Sequence, residues 1–163
     1  MWYYMILADC FADNAYSGGD DVDINNVFLR DLTPRNAVVM KSWKSLYGSI
    51  MRCNVALKYI PQINDPLLDA EAFTGVSKRE EMLGEASFLR ALHYFNLVKT
   101  WGCVPVVTTT GSTAPADVQV PRADSEEEVY ARIIEDLEFA LTRLPDKRAT
   151  EAETRGFASK GAV

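Results

Sequence analysis

The residues whose spacing most invites chemistry are Asp21-x-Asp23-x-Asn25. Alternating oxygen donors of this kind open the calcium loop of an EF-hand, which also needs Gly at its sixth position and Glu at its twelfth. Here those positions hold Asn26 and Leu32, so no EF-hand is read and no metal site is assigned. A looser calcium site that also uses backbone carbonyls stays open. The same stretch suits a second chemistry. Sugars bind to aromatic platforms flanked by planar amide or carboxylate groups that read hydroxyls. Tyr16, Asp20, Asp21, Asp23, Asn25 and Asn26 supply those types within a few residues. A solvated loop closed by Asx-turns would account for the same composition.

No catalytic residue is assigned. His93 is the only histidine, and neither a zinc site nor a nucleophile–base triad can be built around it without companions at suitable spacing. The fingerprints of a nucleophile elbow, a zincin helix, a P-loop and a dinucleotide-binding turn are all missing. Glu80-Glu81 and Glu126-Glu127-Glu128 begin helical stretches, where the positive end of the helix dipole explains them. Glu85 and Arg90 lie about 140° apart on a helix of 3.6 residues per turn, too far round for a same-face pair. Arg90 therefore needs a partner from another element, for which Asp136 is the candidate, and its expected role is structural. Cys10, Cys53 and Cys103 are far apart and odd in number, and read as three buried thiols rather than a disulfide framework or zinc knuckle.

The bulk composition narrows the classes further. With 48% hydrophobic and 25% charged residues in 163, the chain can bury one real core and is not a disordered segment. Its net charge of −6, with Lys and Arg scattered, excludes nucleic acid as partner, because phosphate binding needs clustered cations. No run approaches the roughly 20 apolar residues of a membrane span. Leu7-Ala8-Asp9-Cys10 is close to a bacterial lipobox, but Asp9 stands where a small uncharged residue belongs. No Lys or Arg precedes the short apolar stretch, so no signal is read there.

The elements that must carry these residues are helices. A short apolar and aromatic helix is expected over 2–12, followed by a Gly-, Asn-, Asp- and Pro-rich loop over 13–37. Val39, Trp43, Leu46, Tyr47, Ile50, Asn54 and Leu57 recur at three- and four-residue steps and predict an amphipathic helix over 38–60, stopped by Pro61. Residues 61–77 read as irregular, with a short helix near 67–73. Ser77 caps a helix over 77–100, buried through Leu83, Ala86, Leu89, Ala91, Tyr94, Phe95 and Val98, with Gly102 beyond its end. A short extended piece over 104–107 opens a surface loop that lasts to 124. A last clear helix spans 125–144, with Ser125 and Glu128 as a capping box and with Val129, Ile133, Leu137, Ala140, Leu141 and Leu144 on its buried face. Another helix is expected to begin at Ser159. The fold class is all-α with little strand. Ile133, Leu137, Ala140 and Pro145 have the spacing of a tetratricopeptide second helix, so the scaffold is tetratricopeptide-like, with long inserted loops at 13–37, 61–77 and 101–124.

Five segments in order carry a family resemblance. They are Trp43-Lys44-Ser45-Leu46-Tyr47 with Ile50 and Asn54; Gly84-Glu85-Ala86-Ser87-Phe88-Leu89-Arg90-Ala91 with His93-Tyr94-Phe95; Trp101-Gly102-Cys103-Val104-Pro105; Val129-Tyr130 through Asp136-Leu137 to Leu144-Pro145; and Ala158-Ser159-Lys160-Gly161-Ala162. Together they resemble the SusD/RagB family of outer-membrane nutrient-binding lipoproteins. Two departures are Ser87 for the family's usual Arg and Cys103 for its usual Asp, neither on an apolar face. The resemblance gives Trp43, Tyr47, Asn54, Gly84, Glu85, Phe88, Arg90, Tyr94 and Asp136 the standing of structural motif residues.

The resemblance implies a single N-terminal region over 1–163, cut short at both ends. It implies a non-enzymatic role without a cofactor: capture of a glycan or other nutrient at the outer-membrane surface, beside a TonB-dependent transporter of the SusC type. Membrane attachment would be only through an N-terminal lipid absent from this chain. A piece of such a scaffold is expected to expose an apolar face and to fold poorly alone. The rival reading is a helical-repeat adaptor for a protein or peptide, which the inserted loops at 61–77 and 101–124 oppose. A hydrolase domain would need a catalytic constellation that this sequence lacks.

Overall fold

The computed structural model describes residues 2–12, 15–73, 75–110, 120–147, 150 and 156–163. Among the described residues the helices are α1 (Trp2–Phe11), α2 (Val22–Phe28), α3 (Ala37–Tyr59), α4 (Pro66–Asp69), α5 (Lys78–Trp101) and α6 (Glu126–Leu141). Two short strands, β1 (Glu71–Phe73) and β2 (Val76–Ser77), pair antiparallel. Single 3₁₀ turns lie at Ile60–Gln62 and Lys160–Ala162. No helix among the described residues is long and apolar enough to cross a membrane. The chain forms two compact units, Met1–Gly48 and Ser49–Val163, with the division falling inside α3.

In the first unit, the stretch read as a continuous loop over 13–37 contains α2. Composition concealed it, because a seven-residue helix full of Asn and Asp has poor propensity and depends on its caps. Asp21 supplies the first cap, its Oδ1 accepting from the N–H groups of Asp23 (3.0 Å) and Ile24 (3.1 Å). At the other end Arg30 takes a left-handed conformation (φ 60°), and the Asp31 N–H closes on the Asn26 carbonyl at 2.9 Å. Val27 is fully buried. Asn36 then joins α2 to α3. Its Nδ2 donates to the Asp23 carbonyl (2.8 Å), and its Oδ1 caps α3 by accepting from the N–H groups of Val38 and Val39.

In the second unit α5 and α6 pack against each other along most of their length. Ser77 caps α5 as predicted, accepting from the Glu80 N–H at 3.3 Å. The close approach of the turn that follows α6 explains Gly84. A Cβ there would lie 2.8 Å from the Arg143 Cβ and 3.4 Å from its backbone, so only a hydrogen fits. Leu83, Ala86, Ala91, Tyr94 and Val98 are buried, as are Val129, Ile133, Ala140 and Leu144.

Several local expectations are corrected. Leu89 (43% exposed), Phe95 (40%) and Leu141 are on the surface, because each sits one position round the helix from the packed stripe. Residues 71–73, expected as the end of a short helix, pair with β2 instead. Ser125 holds the N-cap position of α6 but makes no cap bond. Its hydroxyl is taken by the Glu127 carboxylate, whose pKa it lowers, while Glu128 accepts from the Asp124 N–H at 3.1 Å. The helix expected from Ser159 begins as a 3₁₀ turn.

Candidate functional site

The predicted ligand-contacting residues all fall in the first unit, and the fold divides them by task. Asp21 is spent as the α2 cap. Asn25 is spent on the loop: its Oδ1 accepts from the Ser17 hydroxyl, and its Nδ2 donates to the Gly19 carbonyl at 3.1 Å. These bonds draw residues 17–19 back onto α2. Tyr16 stands at the mouth of that turn, 78% exposed, with its ring edge-on to Phe28 at 5.2 Å between centroids. Asp20 is exposed, whereas Asp23 and Asn26 are half-buried. Ser17 and Asn36 shape this loop and escaped sequence reading, since each works through a partner 8 or 13 residues away. Among the described residues, no group of three or more His, Cys, Asp or Glu side chains could hold a metal ion.

Trp43 and Tyr47 lie one helical turn apart on α3 and touch each other, with ring centroids 4.8 Å apart. Both are half-buried.

The second unit holds a buried ionic cluster built from three motif residues on three helices. Arg90 on α5 grips Asp136 on α6 through two bonds, Nε to Oδ2 at 2.8 Å and Nη2 to Oδ1 at 2.7 Å. Its third arm, Nη1, donates to Asn54 Oδ1 on α3 at 2.7 Å. Asp136 also accepts from Arg132 and from the Ser87 hydroxyl, which reaches its Oδ1 at 3.3 Å and its backbone carbonyl at 3.0 Å. The side chains of Arg90 and Asp136 are only 9% and 1% exposed. Burial works against the Arg90 charge, but the hydrogen bonds and charge of Asp136 outweigh it, and the guanidinium pKa lies above its ordinary value. The same burial raises the Cys53 thiol.

This arrangement ties α3, α5 and α6 together, and the cluster lines a cavity of about 420 Å³ with Glu135, Glu138 and Phe139. Ser87 is part of it: a hydroxyl stands where an arginine was expected by resemblance, and it adds a bond to the carboxylate.

Asn54 carries the cluster outward. Its Nδ2 donates to the carbonyls of Val107 (2.9 Å) and Thr109 (3.3 Å). Beside it the Tyr94 hydroxyl donates to the Val107 carbonyl (2.9 Å) and accepts from the Val107 N–H (2.7 Å). Burial pushes the Tyr94 phenol up to about 12. The helical spacing of Tyr94 marked it as core, but nothing in that spacing shows that its hydroxyl holds a segment 13 residues on. His93 is half-buried, its Nδ1 has no hydrogen-bond partner among the described residues, and desolvation lowers its pKa.

Comparison with known proteins agrees with this framework. A family model described as "starch-binding associating with outer membrane", of the SusD-like type, matches residues 6–163. SusD-like protein P38 of Formosa agariphila is 33% identical over 122 residues, 75% of this chain and 22% of the relative. A SusD-like protein of Bacteroides fragilis superposes with a TM-score of 0.75 at 26% identity, covering 98% of this chain and 29% of that one. A SusD-like carbohydrate-binding protein, also of Bacteroides fragilis, superposes with a TM-score of 0.67 at 26% identity, covering 88% of this chain and 26% of that one. The chain thus spans less than a third of the length of these proteins. Five motif segments in order, the helices they build and a family match over nearly the whole chain lead to one conclusion: the chain belongs to the SusD-like family.

Proposed function

We propose that this chain is the helical scaffold of a protein that captures glycan at the outer-membrane surface, without catalysing its breakdown, and delivers it to a TonB-dependent transporter of the SusC type. The observation that carries this reading is the family match over 6–163, on a fold whose buried Arg90 and Asp136 join α5 to α6. The carbohydrate-binding function named for the Bacteroides fragilis relative supports glycan as the ligand. Within the first unit, Tyr16, Asp20, Asp23 and Asn26 meet the sugar, while Asp21 and Asn25 hold the loop in shape. An aromatic face covers the apolar side of a pyranose, and the carboxylates and amide read its hydroxyls.

Two measurements test the proposal. Affinity purification of the tagged full-length protein from detergent-solubilised outer membranes recovers a TonB-dependent transporter, and its absence from the eluate rejects the partnership. Binding of the full-length protein to arrayed oligosaccharides from starch, laminarin, xylan and mannan names the glycan, and a blank array rejects glycan capture.

A further inference from the structure

The run Val104-Pro105-Val106-Val107-Thr108-Thr109-Thr110 follows α5 as a strap without regular secondary structure. It belongs to no sheet, since the only ladder among the described residues joins β1 to β2. Backbone outside helix and sheet leaves its polar groups to other partners. Here side chains from two helices take them. Asn54 from α3 and the Tyr94 hydroxyl from α5 bond to Val107 and Thr109 from beneath. Both residues are buried, and a buried amide or phenol is tolerated only when it is hydrogen-bonded. Each spends those bonds on the strap. A polar cluster in the core thereby fixes the backbone of an exposed segment, whose Thr108 and Thr109 face solvent.

The end of the strap adds further groups. Lys58 Nζ donates to Thr110 Oγ1 at 2.9 Å and lies 5.2 Å from the centroid of the Tyr59 ring. That ring is 47% exposed. An exposed aromatic ring, an ammonium and hydroxyls on a backbone already ordered are the groups that bind a sugar ring with little further ordering cost.

We infer that Tyr59, Lys58 and Thr108–Thr110 form a saccharide subsite carried wholly by the second unit, in addition to the Tyr16 loop. It rests on the glycan reading proposed above and deepens it. The Tyr59 ring covers one face of a pyranose, Lys58 Nζ donates to its hydroxyls, and the threonine hydroxyls both donate and accept. The ligand is an oligosaccharide whose ring face and hydroxyls match these groups.

The test uses the full-length protein and the same array of starch, laminarin, xylan and mannan oligosaccharides, followed by titration of the best binder. Loss of the ring in Tyr59→Ala weakens that binder about tenfold, while Tyr59→Phe stays near wild type. The melting temperature of both variants is unchanged, since the ring is exposed. Lys58→Met repeats the test should Tyr59→Ala misfold. Wild-type affinity in folded Tyr59→Ala, or in Lys58→Met used in its place, overturns the subsite and leaves glycan capture standing. A wild-type protein that binds nothing on the array overturns both.

Discussion

Removal of the Asp136 carboxylate is the most searching perturbation of the helical unit. Two guanidiniums, Arg90 and Arg132, converge on this one group, and Ser87 adds a third bond. In Asp136→Ala both cations remain, with Arg90 91% buried and facing another positive charge. Breaking a buried pair by deleting one partner costs about 3–5 kcal/mol, and the like-charge contact puts this variant near about 5 kcal/mol. Arg90→Ala is milder. Its loss leaves Asp136 paired with Arg132 and bonded to Ser87, and strands only Asn54 Oδ1. The expected cost is about 3 kcal/mol, of which about 1 kcal/mol or more is the orphaned amide oxygen. The apolar pair Arg90→Met with Asp136→Leu removes both buried charges and leaves Arg132 to turn towards solvent. It falls well short of the Asp136→Ala loss, because a buried ion pair replaced by packed apolar groups is often neutral. Urea unfolding of the full-length protein, followed by far-UV circular dichroism, reads these differences as midpoint shifts at constant slope. The reasoning fails if Asp136→Ala shifts stability by less than about 0.5 kcal/mol, the range of ordinary surface changes. It also fails if Arg90→Ala is the more damaging of the two.

Other outcomes follow from single contacts. Gly84→Ala forces the added methyl against Arg143 and costs about 1–3 kcal/mol by overpacking, read as a lower urea midpoint. A midpoint equal to wild type would show that the turn after α6 moves aside freely. Desolvation lowers the His93 pKa below 6.5, so the unfolded chain binds the proton more tightly than the folded one. Its stability contribution is therefore complete above pH 6.5 and declines as pH falls, and His93→Phe flattens that acid limb in a series of urea midpoints. Tyr94 is the converse case, since its phenol is raised to about 12. Its contribution is complete below the ordinary tyrosine pKa near 10 and is lost as pH rises towards 12, so absorbance titration of the folded protein shows one late-ionising tyrosine that Tyr94→Phe removes. At the loop of the first unit, Tyr16→Ala lowers glycan affinity about tenfold without altering the melting temperature, and equal affinity would remove Tyr16 from the site.

Periodicity alone determined the helical class and the extents of α3, α5 and α6, because a buried stripe repeating every three to four residues is a local property of the chain. Ser77 and Gly102 marked the ends of α5 for the same reason, as capping acts within a turn. The pairing of Arg90 with Asp136 was legible as a need rather than as a contact: a charge on an apolar helix requires a partner, and an acid on the next clear helix was available. Tertiary structure decided the rest. Whether Leu89, Phe95 and Leu141 face core or solvent depends on which flank of each helix its neighbour covers, and a single-residue turn of the helix decides it. The short helix α2 forms within a stretch of poor helix formers because Asp21 caps it and Asn36 bonds it from outside. Asn54, read as one of the residues on a buried face, spans the space between Arg90 and the strap because the fold brings residues 36 and 53 positions away onto the two ends of one amide. Sequence spacing resolves what a residue does within its own helix. The partners of a polar side chain that points out of that helix are set by packing across the chain.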